Sequence, residues 1–120
     1  MDPLDGSHVL LTGGAGFIGS HLVERLTRPG RNVRVRVLDN FRRDALRPAG
    51  LDRRPNVELI EGDVLDLDGV KRAMEGVDRV VHLASIAGVD SVMKQPALTM
   101  RVSLLGTTNL LDAALATGAC

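Results

Sequence analysis

A chain of 120 residues suits one small domain, and with 44% hydrophobic and 25% charged residues it has an ordinary soluble composition. Fifteen basic residues balance fifteen acidic ones, so no net charge draws it to nucleic acid or to an acidic membrane surface. No apolar run approaches a membrane span, the N-terminus lacks signal-peptide features, and the single cysteine, Cys120, rules out an internal disulfide and fits a reducing cytoplasm.

In chain order, His8–Thr12 reads as a short buried strand. A glycine-rich turn follows, and Phe17–Thr27 then carries Ile18, Leu22, Val23 and Leu26 at helical spacing until Pro29-Gly30 stops it. Val33, Val35, Val37 and Leu38 form a second strand ending at Asp39-Asn40, with Arg34 and Arg36 marking a partly exposed face. Residues 41–56 are rich in Arg and Pro, have no period, and read as a surface loop with one helical turn at most. Val57–Glu61 is a third strand, closed by Gly62-Asp63. Asp66 is placed to cap a helix over Leu67–Met74, closed by Gly76. Arg79–Leu83 is a fourth strand, and Ala84–Gln95 is mixed, with helical turns late in the stretch. Pro96 suits the start of a long helix over about 97–117, with Gly118 as its C-cap.

Strands alternating with helices imply a parallel sheet with right-handed crossovers. The expected fold class is α/β: a Rossmann-type, doubly wound parallel sheet with strand order 3-2-1-4, lacking a fifth strand. The whole of 1–120 reads as one N-terminal dinucleotide-binding portion, with no linker or repeat. The ligand crevice belongs between strands 1 and 4. The fourth strand, apolar at Val80, Val81 and Leu83, is then a sheet edge open to another strand.

The segment Leu11-Thr12-Gly13-Gly14-Ala15-Gly16-Phe17-Ile18-Gly19-Ser20-His21 carries the most chemistry. Gly14, Gly16 and Gly19 satisfy G-x-G-x-x-G, and Gly13, Gly16 and Gly19 satisfy G-x-x-G-x-x-G. Between a strand and a helix, such a loop cradles a pyrophosphate: free N–H groups and the helix N-terminus bind its charge. Asp39 lies 20 residues beyond Gly19 at a strand end, placed to accept hydrogen bonds from an adenosine ribose. Its charge repels a 2′-phosphate and favours NAD over NADP, although Arg42 and Arg43 beside it are able to pair with such a phosphate. Asp63 suits either an adenine amino group or a simple turn. His82, within an apolar strand, fits a packed core histidine better than a catalytic base, and Ser85 faces the nicotinamide end. No metal-ligand cluster, P-loop lysine or nucleophilic triad is visible.

Three more segments, Val37-Leu38-Asp39-Asn40, Gly62-Asp63-Val64 and Val81-His82-Leu83-Ala84-Ser85, accompany the loop in order and spacing, and a fifth runs from Leu104 to Ala114. Together they resemble the fingerprint of the extended short-chain dehydrogenase/reductase family, the NAD-dependent nucleotide-sugar epimerases, dehydratases and decarboxylases. The resemblance implies that Gly13, Gly16 and Gly19 shape the pyrophosphate loop, with Phe17 and Ile18 offering backbone N–H groups. It implies that Asp39 and Asn40 hold the ribose, that Asp63 and Val64 flank adenine, and that Leu83, Ala84 and Ser85 line the path to the nicotinamide ribose. Ser85 stands where the family often has Ala or Gly, and Ser103 where it usually has Asn.

The family's catalytic Ser or Thr and its Tyr-x-x-x-Lys lie beyond the fourth helix, and this chain has no tyrosine at all. The expectation is an NAD platform for a UDP- or dTDP-sugar enzyme that carries no catalytic residue itself and is inactive alone. The alternative is a non-catalytic NAD-binding or sensing module. A homodimer through the long helix is expected by analogy alone.

Overall fold

The computed structural model describes residues 2–120. Its elements are β1 (His8–Thr12), α1 (Phe17–Leu26), β2 (Arg34–Asp39), β3 (Val57–Glu61), α2 (Leu67–Met74), β4 (Arg79–His82), α3 (Val89–Lys94) and α4 (Pro96–Thr117), with a 3-10 turn at Leu51–Arg53. The four strands are parallel in the order β3-β2-β1-β4, as the alternation predicts. Val9 pairs with Val35 on one side and with Arg79 on the other, so β1 is central.

The inner strands β1 and β2 are short, largely apolar runs because both their faces are covered, whereas the edge strands β3 and β4 are only half-buried. On one face Val9, Leu11, Val33, Val35 and Val37 pack against Val23 and Leu26 of α1. On the other, Leu10 and Leu38 pack against Val70, Ala73 and Met74 of α2 and Leu110 and Ala113 of α4. Pro96 opens α4, and Gly118, with φ +80°, closes it in the left-handed conformation glycine adopts freely. None of the described helices is long and apolar enough to cross a membrane.

Two local expectations need correction, and a third gains a partner. Residues 41–56 are not merely a surface loop: Leu46 and Leu51 are 0% and 4% exposed and plug the α1 face of the core. The Ala45 N–H donates to the Ala15 carbonyl at 2.9 Å, tying this segment to the glycine-rich turn. Two apolar residues in an Arg-rich stretch have no period, so pattern alone could not place them. Asp66 occupies the N-cap position of α2, but its side chain makes no capping bond; Oδ2 lies 3.9 Å from Arg72 instead. Arg34 is exposed and Arg36 half-buried, in keeping with the partly exposed face expected of them. The Arg36 guanidinium donates to the Ala73 and Glu75 carbonyls at 2.7 and 2.8 Å and to Glu58, capping the C-terminus of α2.

The fourth strand ends at His82 rather than Leu83, although the Leu83 N–H still donates to the Thr12 carbonyl at 3.0 Å. Its outer edge is partly occupied. The Val80 N–H donates to the Cys120 carbonyl at 2.6 Å, and the Cys120 N–H donates to the Asp78 carbonyl at 3.0 Å.

Because Leu46 is fully buried, Leu46→Ala should cost about 2–5 kcal/mol in urea unfolding. Val89→Ala, at a site 79% exposed, should shift stability by no more than about 0.5 kcal/mol.

Candidate functional site

The carboxyl ends of the parallel strands converge on one rim of the sheet, and the sequence-predicted residues fall there: Gly13–Gly19 after β1, Asp39 and Asn40 at β2, Asp63 and Val64 after β3, and Leu83–Ser85 after β4. Backbone bonds lock the rim together. The Gly13 N–H donates to the Leu38 carbonyl at 2.9 Å and the Gly62 N–H to the Asp39 carbonyl at 3.0 Å.

The glycines of the loop are required for different reasons. Gly13 has φ +71°, and a Cβ there would lie 2.7 Å from the Ala84 nitrogen. At Gly19 a Cβ would lie 2.5 Å from Gly14 Cα and 2.6 Å from the Gly13 carbonyl oxygen. At Gly14 it would meet Val37 at 2.9 Å. These three are demanded by the protein's own packing. At Gly16 the nearest atom to an added Cβ is the Gly13 carbonyl oxygen, at 3.4 Å. The fold leaves room for a side chain that the sequence does not supply.

Gly16 is the N-cap of α1 and provides no side-chain cap. Phe17 and Ile18, the first helical residues, are 79% and 70% exposed. The first-turn N–H groups and the positive end of the helix therefore point into open space above the loop, a ready anion site. Phe17 meets His21 edge-on, with ring centroids 4.8 Å apart.

Asp39 serves the loop as well as the rim. Its Oδ2 accepts from the Ala15 N–H at 3.0 Å and its Oδ1 from the Phe41 N–H at 2.9 Å. Each oxygen keeps a lone pair for a vicinal diol. Directly after it the chain turns sharply: Phe41 takes φ +56° and lies under the Arg47 guanidinium, 4.6 Å from the ring centroid. Asn40 Oδ1 accepts from the Arg42 N–H at 3.1 Å. Asp63 Oδ1 accepts from the Leu65 N–H at 2.9 Å, so this side chain shapes the turn after β3 while staying exposed. The Val64 side chain is buried against Gly106, where a Cβ would lie 2.8 Å away, and its carbonyl accepts from Asn109 at 2.9 Å. Of Val64, the backbone N–H is the group left for a ligand. Leu83 and Ala84 are half-buried and Ser85 is exposed.

Sequence reading missed two contacts: the Ala15–Asp39 bond and a hydrogen bond of 2.5 Å between Thr12 Oγ1 and His82 Nδ1. Neither has a local signal, since the partners are 24 and 70 residues apart. His82 is half-buried rather than sealed in the core, and burial lowers its pKa below the usual imidazole value. His8 is lowered too, by burial first and then by Arg36 and Arg34. Both histidines hold fewer protons when folded than when unfolded. Their contribution to stability is therefore full above the unfolded value of about 6.5 and falls as pH drops below it. A cavity of about 410 Å³ lined by Arg28, Arg31, Arg34 and Arg54 lies at the opposite end of the strands, away from the rim.

A parallel sheet with this loop between β1 and α1 defines a Rossmann-type nucleotide-binding module. Residues 9–119 match the model of the NAD dependent epimerase/dehydratase family. UDP-glucuronic acid decarboxylase 1 of Danio rerio is 37% identical over 119 residues, covering 96% of this chain and 26% of the relative. The dTDP-glucose 4,6-dehydratase of Streptomyces griseus is 38% identical over 112 residues, covering 90% and 34%. The crystal structure of DesIV, a dTDP-glucose 4,6-dehydratase from Streptomyces venezuelae with NAD bound, is 33% identical with a TM-score of 0.81, covering 93% of this chain and 37% of that one. The chain belongs to the NAD dependent epimerase/dehydratase family, as its motifs suggested, and spans between about a quarter and a third of the length of these relatives.

The loop geometry separates two substitutions of the same kind. Gly16→Ala should unfold within about 0.5 kcal/mol of the parent in urea, whereas Gly19→Ala, forced against backbone, should lose more than about 2 kcal/mol.

Proposed function

We propose that these 120 residues form the NAD-binding part of a nucleotide-sugar epimerase/dehydratase-type enzyme. The observation that carries this reading is Gly16. It is the loop glycine that the protein's own packing does not require, and it stands at an uncapped helix N-terminus. A Cβ there would intrude only on something lying above the loop, and the chemistry of that place suits a pyrophosphate.

In this reading the N–H groups of Phe17 and Ile18 receive the pyrophosphate over Gly13, Gly16 and Gly19. Asp39, already fixed by Ala15 and Phe41, accepts from the adenosine ribose, with Asn40 beside it. Asp63 and the Val64 N–H flank adenine, and Leu83, Ala84 and Ser85 line the way to the nicotinamide ribose. Held by these residues, NAD would supply a hydride acceptor for the carbon bearing a sugar hydroxyl. Relatives named for UDP- and dTDP-sugars support a UDP- or dTDP-sugar as the substrate of the whole enzyme. Among the possible outcomes we rank epimerisation first, ahead of 4,6-dehydration and decarboxylation.

The acid/base for that hydroxyl is not in this chain, which contains no tyrosine. We assign it, with the sugar pocket, to the portion of the relatives that the chain does not span. A single cysteine fits the cytoplasm. Met100, Leu104, Leu111 and Leu115 form an exposed apolar stripe along α4, 57%, 60%, 61% and 85% accessible, and support a homodimer through that helix.

Calorimetric titration tests the cofactor assignment. NAD should bind the 120-residue chain, and Gly16→Ala should weaken it by about tenfold or more while leaving the fold intact. NADP should bind at least about tenfold more weakly than NAD, and Asp39→Asn should narrow that gap. Equal affinity of the parent for both cofactors would overturn the role given to Asp39. With NAD and UDP- or dTDP-sugars, the chain alone should give no turnover; product formation would refute the placement of the acid/base outside it.

A further inference from the structure

We infer that the Thr12–His82 hydrogen bond is a latch that positions the glycine loop for the dinucleotide, making His82 a positioning residue; the inference rests on the NAD-binding reading above. Thr12 is the last residue of β1 and pairs with His82, the last residue of β4, across the central register. Both side chains lie on the α4 face, as do Leu10 and Val80 two residues before them. Thr12 is completely buried.

Counting protons fixes the direction of the bonds. Thr12 Oγ1 accepts from the Ala84 N–H at 3.2 Å and lies 2.5 Å from His82 Nδ1. A hydroxyl has one proton to donate. Among the described residues, His82 Nδ1 is the acceptor within its reach. In the latch Thr12 donates to a bare Nδ1, because the other tautomer would leave the hydroxyl proton without an acceptor in a buried place, and the imidazole then carries its proton on Nε2.

The consequence for the loop is steric. Gly13 follows Thr12 directly and sits against Leu83 and Ala84 so closely that a Cβ would come within 2.7–2.8 Å of their backbone. The Leu83 N–H donates to the Thr12 carbonyl at 3.0 Å. Thr12 thus fixes where the loop begins relative to Leu83 and Ala84, the residues assigned to the nicotinamide path. Protonating His82 makes both ring nitrogens donors. The Thr12 hydroxyl must then turn to accept from Nδ1, and its own proton loses its acceptor in a place without solvent.

The charged groups on the surrounding elements do not compete for this role. Arg79 on β4, Asp90 and Lys94 on α3, and Arg101 and Asp112 on α4 are all exposed, and His8 lies at the far end of β1. The lowered pKa of His82 comes from burial. His21, edge-on to Phe17 beside the loop, is the other histidine near the proposed ligand. Its place beside the loop makes it the residue to remove before the role of His82 is read.

The test is NAD affinity between about pH 8 and about pH 5.5 in the 120-residue chain, in a His21→Gln background that leaves His82 as the histidine near the proposed ligand. Affinity should fall toward acid by a few-fold and by less than about tenfold at pH 5.5, because burial already holds the imidazole below its ordinary value. His82→Gln keeps an acceptor for Thr12 but no titrating proton, and its affinity should be flat over the range. Thr12→Ser should retain the acid-side loss. Thr12→Val should bind about tenfold more weakly at pH 8 and lose the pH dependence. In parallel, the ¹⁵N shifts of the ligand-free protein should place the His82 proton on Nε2. A proton on Nδ1, or a pH profile that survives His82→Gln, would overturn the latch alone. No NAD binding by the parent at any pH would overturn the NAD-binding reading and the inference with it.

Discussion

Backbone meeting backbone without room for a side chain is the constraint on which this molecule turns. Gly13 rests on Ala84, and Gly19 rests on Gly14 and the Gly13 carbonyl. The first contact brings the loop down onto the end of β4; the second brings α1 down onto the loop. Only then does the first turn of α1 stand directly over the carboxyl rim, with its N–H groups facing outward. A methyl group at either place would lift the helix away and dissolve the geometry that favours an anion.

Much of this was legible in the sequence, for reasons that differ by element. The strands are short, largely apolar runs bounded by turn residues, and the helices have caps or breakers at their ends, as with Pro96 and Gly118. Such features are local, and so the strand order and nearly every boundary could be read. Leu46 and Leu51 were not legible, because their burial follows from where α1 lies and not from any period of their own. Arg36 was legible in part: its partly exposed face could be read, but not that it satisfies the C-terminal carbonyls of α2, whose position the sequence does not state.

The site was legible at the level of motif and less so at the level of role. The loop pattern fits two glycine spacings at once, and only the space around each glycine separates those that packing demands from Gly16. Asp39 was read as a group waiting for a ribose. It is also an internal strut, holding Ala15 and Phe41 while its remaining lone pairs stay free. Holding the carboxylate in advance removes part of the ordering cost that a ligand would otherwise meet. Asp63 and Val64 likewise have structural duties, the turn after β3 and the seat of α4, that spacing could not distinguish from ligand contact.

The central place of β1 has a consequence for the order in which the molecule is made. Its partners are β2 and β4, and the bond that joins the ends of β1 and β4 spans 70 residues. A ribosome delivers the glycine loop early, yet the surface against which Gly13 rests arrives only with Leu83 and Ala84. The loop must therefore wait, unformed, while β2, β3 and α2 emerge. Ability to grip a nucleotide comes with the closing of the longest loop in the sheet, so a bound ligand would favour only chains that have completed that step.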